Sequence, residues 1–409
     1  MIEHYYLQGR CRSLRHGPLG PSLDGFAGLL FGLGFTKSSG QPRLRIVGDL
    51  SEWLGHRQIK AKDLKEQHVA DFLKARRKKI RRCSFEAPAI TLLLKHLRQT
   101  GVIPQPLPPP DSALDLIQRD YAQFLIRERG LAQITLRGYL SIARRFLSER
   151  FGAGKILLNQ LSFQDVVRFI LGHTVTRTPG GVQLVATILR SFLGFLYQRG
   201  HLATNLAGAV PPVAGRHSTE PPPTLAPGEI KRLLRRCDRY SYTGKRNYAV
   251  LLLLARLGLR ACEVVRLTLD DINWEAGELL IRGKGGREDR LPLPQDVGEA
   301  LADYLQKRRA LGSSRRVFFR HKAPRQELSS STISGIVRMA LVRAQLHPKR
   351  WGAHLLRYSL ATNLLRGGTP LAQIGQLLRH QHIRTTEIYA KVDLSALRAV
   401  ALPWPGGVQ

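Results

Sequence analysis

Cysteine is scarce and scattered. The 409-residue chain has four, Cys11, Cys83, Cys237 and Cys262, with no C-x-x-C pair and no histidine nearby at zinc-finger spacing. That excludes a disulfide framework and a zinc finger as the basis of the fold and fits reduced thiols in the cytoplasm. Clustered carboxylates are lacking as well: no segment groups Asp, Glu and His as divalent-metal ligands would be grouped. The apolar run from Ala249 to Leu254 is too short to span a bilayer. The start of the chain has acidic Glu3 and no apolar core flanked by basic residues, so it does not read as a signal peptide. The expectation is a soluble cytoplasmic protein with no membrane partner. No internal repeat is evident, which excludes a solenoid.

Acidic residues are outnumbered throughout. Asp and Glu total 30 against 64 Lys and Arg, a formal net charge of +34. Self-repulsion on that scale costs folded stability, and an enzyme acting on small metabolites has no use for it. A polyanion relieves it, and nucleic acid is the usual one; a ribosomal or other RNA-associated protein and an anionic membrane surface are the alternatives. Hydrophobic residues make up 43% of the chain, enough for real cores, so the chain is not disordered as a whole. Its length fits two or three domains.

Two proline-rich breaks punctuate it: Pro104, Pro106, Pro108, Pro109 and Pro110, then Pro211, Pro212, Pro221, Pro222 and Pro223. Successive prolines continue neither a helix nor a central strand and favour stiff extended linkers. Three segments follow. Residues 1–103 open on a Gly-rich stretch, Gly17 to Gly34, then show helical patterns over Leu44–Leu54 and Val69–Ala75 and a basic cluster, Arg76, Arg77, Lys78, Lys79, Arg81 and Arg82. Such a cluster is either a solvated helix face or a phosphate contact. Residues 111–210 read as all helix, with spacings of three and four over Leu114–Leu125 and Thr135–Phe146, a short helix over Asn159–Phe169 and a longer one over Val182–Tyr197. Arg137, Arg144, Arg145, Arg177 and Arg190 are expected on the outside of this bundle. Residues 221–400 are mixed: helices over Glu229–Arg236 and Asn247–Leu257, short strands over Leu279–Arg282 and Arg290–Leu293 joined by Gly283-Lys284-Gly285-Gly286, and helix again from Ser331, with Gly367-Gly368 as a stop.

Cutting a phosphodiester without a metal requires a nucleophile, positive charge on the non-bridging oxygens and an acid for the leaving oxygen. The last segment is rich in such groups. His354 and Arg357, at i and i+3, share a helix face. Arg260 ends an apolar run; two arginines on one phosphate would supply planar donors that stay charged. Lys284 sits at the tip of the strand–turn–strand, where a hairpin can lay its amine into a groove and a neighbouring arginine can ease its proton off. His380 precedes Thr385, Thr386 and Tyr389. A phenol has an ordinary pKa near 10 and attacks well only beside strong positive charge or a base. Each signal alone also fits a surface pair, a salt-bridged arginine, a turn lysine or a packed tyrosine.

Taken in order, Gly258-Leu259-Arg260 with Glu263, Gly283-Lys284-Gly285, the His354–Asn363 phrase HLLRYSLATN, and His380 ahead of Thr385-Thr386-x-x-Tyr389 resemble the catalytic domain of the tyrosine recombinases, the phage integrase family. The middle segment is similar to that family's core-binding domain. The resemblance implies a mainly α protein with a small antiparallel β-sheet in its catalytic domain: a helical DNA-clamping domain at 111–210, a mixed α+β catalytic domain at 221–400, and an extra domain at 1–103 for arm-type DNA or protein contact. It implies a site-specific recombinase or integrase of a mobile element that acts on double-stranded DNA through a 3′-phosphotyrosyl link. Tyr389 would be the nucleophile, Arg260 and Arg357 the phosphate clamp, Lys284 the acid, His354 the proton-transfer partner, His380 a phosphate ligand and Glu263 the support of the first arginine. The covalent link conserves bond energy, so no cofactor is implied. The family works as a homo-tetramer, with other recombinases of the same element as further candidate partners, and Val392–Val400 is a candidate docking tail. Relatives that share the chemistry or the fold leave two alternatives: a type IB topoisomerase-like DNA-relaxing enzyme and a catalytically idle DNA-binding relative. Three positions depart from the family's habit: Arg379 stands where Gly is frequent, so that it is expected either to contact DNA or to perturb the turn, Tyr358 stands where His is frequent, and Cys262 where a small polar residue is usual.

Overall fold

Helices begin where a polar side chain can take the first free N–H groups. Ser112 and Asp115 form a reciprocal capping box at the start of one helix, and Ser162 and Asp165 at another, each worth about 1 kcal/mol. The computed structural model describes residues 1–6, 14–77, 83–106, 111–152, 154–213, 222–283, 286–308, 314–382 and 384–389. Pro108 to Pro110, Pro221, the basic residues Lys78, Lys79, Arg81 and Arg82, and the Val392–Val400 tail lie outside them. The chain forms two compact units, Pro106–Thr219 and a second built from Met1–Gln105 with Glu220–Gln409.

The Pro106–Thr219 unit is a helical bundle. Its helices run over Ala113–Arg127, Gln133–Phe151, Phe163–Thr174 and Pro179–Gln198. The third starts four residues later than its apolar rhythm suggests, because Ser162 caps it and Leu158–Gln160 turns as a separate 3-10 segment. Pro179–Gln198 is long and apolar enough to cross a bilayer, but Val185, Leu189, Phe192 and Leu193 on it are fully buried in the bundle core with Tyr121 and Leu147. Arg190, expected outside, instead donates from Nη2 to the carbonyl oxygens of Val210 (3.1 Å) and Pro211 (2.9 Å). It therefore fastens the end of the bundle.

In the other unit, Met1–Gln105 has its own apolar core. Its first helix, Gly20–Gly32, lies inside the Gly-rich stretch and buries Leu23, Phe26 and Leu30. Three more follow, Lys37–His56, Glu66–Arg77 and Glu86–Gln99. Arg76 does not belong to a solvated basic face: its guanidinium bonds Asp49 and, at 3.0 Å, the nearly buried Glu86. This layer meets the later residues where Ala323 packs on its core and the Arg325 N–H donates to the Leu33 carbonyl at 2.8 Å.

Residues 222–389 build the layer that carries the candidate site. We label its main elements α1 (Tyr242–Arg256), α2 (Ala261–Arg266), β1 (Ile272–Asn273), β2 (Glu278–Arg282), β3 (Glu288–Pro292), α3 (Gln295–Gln306), α4 (Ser330–Arg343), α5 (Ala353–Arg366), α6 (Leu371–Leu377) and α7 (Arg384–Glu387). The apolar run from Ala249 to Leu254 is the centre of α1, with every residue at most 1% exposed. The antiparallel sheet has the order β1-β2-β3, with Leu279 opposite Leu291. Leu279, Ile281 and Leu291 face the core. The expected antiparallel pairing of the strands on either side of Gly283–Gly286 is present, with Lys284 and Gly285 outside the described residues, and the two-residue β1 extends the sheet.

Candidate active site

The site forms where α2, α5 and the turn after α6 converge. α1 ends at Arg256 with Leu257 as its C-cap, and Gly258 follows with φ +58. A Cβ there would stand 2.7 Å from Leu378 Cδ2 and 3.0 Å from Leu360 Cδ2, so only glycine fits both the backbone and the space. The Gly258 carbonyl accepts from Arg357 Nη1, and the Leu378 carbonyl accepts from Arg357 Nη2. Arg357, 3% exposed, thus straddles two chain reversals far apart in sequence. Burial first, and then the neighbouring Arg260 and Arg379, push its pKa down to about 10, so it stays charged at neutral pH.

Arg260 stands immediately before α2. Its backbone N–H donates to Glu263 Oε2 at 2.8 Å and its Nη1 to Glu263 Oε1 at 2.7 Å. Glu263 is 3% exposed. Burial raises the pKa of its carboxyl, but Arg379, the Arg260 N–H and the Arg260 guanidinium outweigh that and hold it below the usual value. Arg379 is the surprise. Of the two expectations for it, contact with DNA is corrected here: its side chain is 5% exposed and donates from Nη2 to Glu263 Oε2 at 2.9 Å. It occupies the left-handed region at φ +55, which costs a non-glycine residue about 1–2 kcal/mol.

His354 lies one turn before Arg357 on α5, with its ring 5.9 Å from that of Tyr358. Tyr358 in turn meets Tyr389 edge-on at 6.1 Å. His380 Nδ1 is 2.7 Å from Thr386 Oγ1, and its ring lies parallel to Tyr389 at 6.3 Å. Thr386 entered the sequence reading only as part of a motif; the structure makes it the residue that orients His380. Ser359 and Asn363 also acquire a role: Ser359 Oγ accepts from the Leu225 N–H at 2.8 Å and Asn363 Nδ2 donates to the Leu225 carbonyl at 3.4 Å, pinning the incoming chain to α5.

Both histidines are kept neutral. Removal from water, then Arg357 and Arg260, lower the pKa of His354; the same causes, joined by Arg379, push that of His380 down to about 4. Tyr389 is 1% exposed among Ala361, Leu365, Ile374 and Leu378. Burial raises its phenol to about 12, against the downward pull of Arg357 and Arg260. Of the six residues singled out from sequence, Arg260, His354, Arg357, His380 and Tyr389 come together. Lys284 lies outside the described residues, although the base of its hairpin is held next to α2 by Arg266 Nη1 donating to the Gly283 carbonyl at 3.4 Å.

Stability should respond to the His380 environment. An unfolded histidine binds its proton near 6.5 and the folded His380 near 4. Between those values the unfolded chain holds more protons, so stability is present above about 6.5 and lost as pH falls towards 4, by about 2 kcal/mol after allowance for partial exposure. His380→Asn should flatten this acid limb in a melting temperature against pH series; an unaltered limb counts against the assignment.

Comparison with known proteins agrees with the geometry. The sequence pattern of the phage integrase family matches residues 223–395. The chain is 40% identical over 398 residues to the Sinorhizobium fredii protein named integrase/recombinase y4rA, covering 96% of each. It is 31% identical over 292 residues to tyrosine recombinase XerC of Erythrobacter litoralis, covering 69% of this chain and 89% of that one. In fold it resembles XerH site-specific recombinase bound to palindromic difH substrate in a post-cleavage complex, with TM-score 0.56 and 19% identity over 70% of this chain and 84% of the other. A mainly helical chain with a three-stranded antiparallel sheet, two arginines and two neutral histidines gathered about one tyrosine, and near full-length similarity to a recombinase together make this chain a member of the phage integrase family, a tyrosine-type site-specific DNA recombinase.

Proposed function

We propose that Tyr389 is the nucleophile of this recombinase and that the chain integrates or excises a mobile element. The observation that carries the proposal is the convergence of Arg260, Arg357 and His380 on Tyr389, with His354 next to it through the ring of Tyr358. In the cleavage step Tyr389 Oη bonds to the scissile phosphorus and the bond from phosphorus to the 5′ oxygen breaks. The strand is left with a 3′-phosphotyrosyl end and a 5′ hydroxyl. A 5′ hydroxyl from a partner strand reverses the step: it attacks the phosphorus and releases the phenol. No net bond energy is lost.

The chain's own groups fit those demands. Arg260 and Arg357 place permanent positive charge beside the pentavalent phosphorus, where negative charge grows. Of the five N–H donors of Arg357, two are taken by Gly258 and Leu378, and the others remain for a phosphate. His354, neutral at working pH, can accept the phenolic proton. In the tautomer where Thr386 Oγ1 donates to His380 Nδ1, the other ring nitrogen carries a proton to donate to a phosphate oxygen. Lys284 is the proposed acid for the 5′ oxygen. At a pKa of about 12, only about one phenol in 10⁴–10⁵ is ionised at neutral pH. Attack therefore requires Tyr389 to leave its apolar seat and a base to take its proton.

The partner is double-stranded DNA. A homo-tetramer on two duplexes, with Val392–Val400 docking on a neighbour, completes the proposal, as does a cytoplasmic setting. The test is a suicide duplex, nicked near the exchange point and taken from the ends of the host element. A covalent protein–DNA band on a denaturing gel supports the proposal; relaxation of any supercoiled plasmid without regard to sequence would replace it with a topoisomerase reading. With a net charge of +34, binding should also weaken by about 10³–10⁵ between roughly 50 and 200 mM salt if six to ten phosphates are contacted. A flat salt response contradicts extensive phosphate contact.

A further inference from the structure

Glu263 poses an electrostatic problem that the proposed clamp does not solve by itself. Its carboxylate is paired with the Arg260 guanidinium at 2.7 Å. Taken alone, that pair is neutral, and a neutral pair offers little to a phosphodiester. A second cation closes the account: Arg379 Nη2 reaches the other carboxylate oxygen at 2.9 Å, from a residue 116 positions away in sequence. Arg260, Glu263 and Arg379 together carry one net positive charge, and Arg260, at 32% side-chain exposure, is the member of the trio that faces outward, against 2% for Glu263 and 5% for Arg379.

We infer that Arg379 is a positioning residue. By neutralising and holding Glu263, it leaves the positive charge of Arg260 free for the scissile phosphate and locks that guanidinium in place. The inference rests on the reading of Arg260 as part of the phosphate clamp. Arg379 serves more than its own turn: besides donating from Nη1 to the Leu377 carbonyl at 3.0 Å, its guanidinium reaches across to α2. It sits at a positive φ that a glycine would adopt without strain, and its buried Nε–H finds no partner among the described residues. Strain and an unsatisfied donor persist where the surroundings hold a group to a task. The backbone of the same turn presents the Leu378 carbonyl to Arg357 and carries His380 next in sequence. One turn thus serves the first arginine through Arg379, the second through Leu378, and a histidine directly.

The test uses the full chain and three changes at this position. Arg379→Gly relieves the backbone while removing the cation, so its melting temperature should stay within a few degrees of the parent. Its covalent capture of the suicide duplex should slow at least about tenfold, with little change in duplex affinity because the side chain is buried. Arg379→Lys keeps the charge with a single-point donor and should recover most of the rate. In Glu263→Gln the charge that Arg379 offsets is gone, so adding Arg379→Gly to it should slow capture no further. Parental rates in Arg379→Gly, or losses that simply add in the double variant, overturn the inference. Order of the Arg260 guanidinium, followed by nitrogen relaxation of its Nε–H in the free protein, separates this from the function itself. If the parent captures no DNA but Arg260 loosens in Arg379→Gly, the positioning stands and the proposal that Tyr389 is the nucleophile fails. If Arg260 stays as rigid as in the parent, the positioning fails whatever the DNA result.

Discussion

Tyr389→Phe should lose covalent capture of DNA altogether, a fall of at least about 10⁴-fold, while duplex affinity stays at the parental level. The change deletes one oxygen. The ring would keep its place among Ala361, Leu365, Ile374 and Leu378 and its edge contact with Tyr358, so folding gives no competing explanation. The phenol is already 1% exposed and titrates high. Stability should therefore hold or rise slightly. The measurement is the suicide-duplex gel alongside a binding isotherm. A residual band in the phenylalanine variant would move the nucleophile elsewhere; lost binding with lost capture would mean that the hydroxyl also anchors DNA.

Arg357→Ala should fail in two ways at once. Capture should fall by about 10²–10³-fold or more, as expected when one preorganised donor to a developing oxyanion is removed. Stability should fall too, because the carbonyls of Gly258 and Leu378 lose their donors inside a closed region. Each stranded acceptor costs roughly 1–3 kcal/mol, so denaturant unfolding should show a loss of about 2–6 kcal/mol. Arg357→Lys separates the two effects. A single ammonium can satisfy one carbonyl or reach a phosphate, but it lacks the planar fork that does both. Its stability should lie between parent and alanine while its capture stays near the alanine level. A lysine variant that captures DNA at the parental rate would leave Arg357 a structural arginine only.

Much of the organisation was legible without coordinates. Apolar spacings of three and four marked the bundle helices over 111–210. The glycines between two short strand patterns marked the β2–β3 hairpin. Three local readings were imprecise for identifiable reasons. The Gly-rich stretch holds the helix Gly20–Gly32 because Leu23, Phe26 and Leu30 bury one face of it, and tertiary burial outweighs poor helix propensity. Glu86–Gln99 and Gln295–Gln306 were not singled out, although each buries an apolar stripe. The two-residue β1 has too few residues to show a period at all.

The same division runs through the site. Resemblance to the motifs of the phage integrase family singled out Arg260, Lys284, His354, Arg357, His380 and Tyr389 as one candidate set, where each residue taken alone also fitted a structural role. The charge of +34 was enough to point at a polyanion. What the set does in space depends on pairings between distant residues, which carry no local period: Arg357 on Gly258 and Leu378, Thr386 on His380, the burial of Tyr389, and the inward turn of Arg379. A side chain six bonds long can reach solvent or a carboxylate with equal ease from its own sequence neighbourhood. Only the packing of α2 against the turn after α6 puts Glu263 within 2.9 Å of Arg379, a pairing between residues 116 positions apart that no local pattern carries.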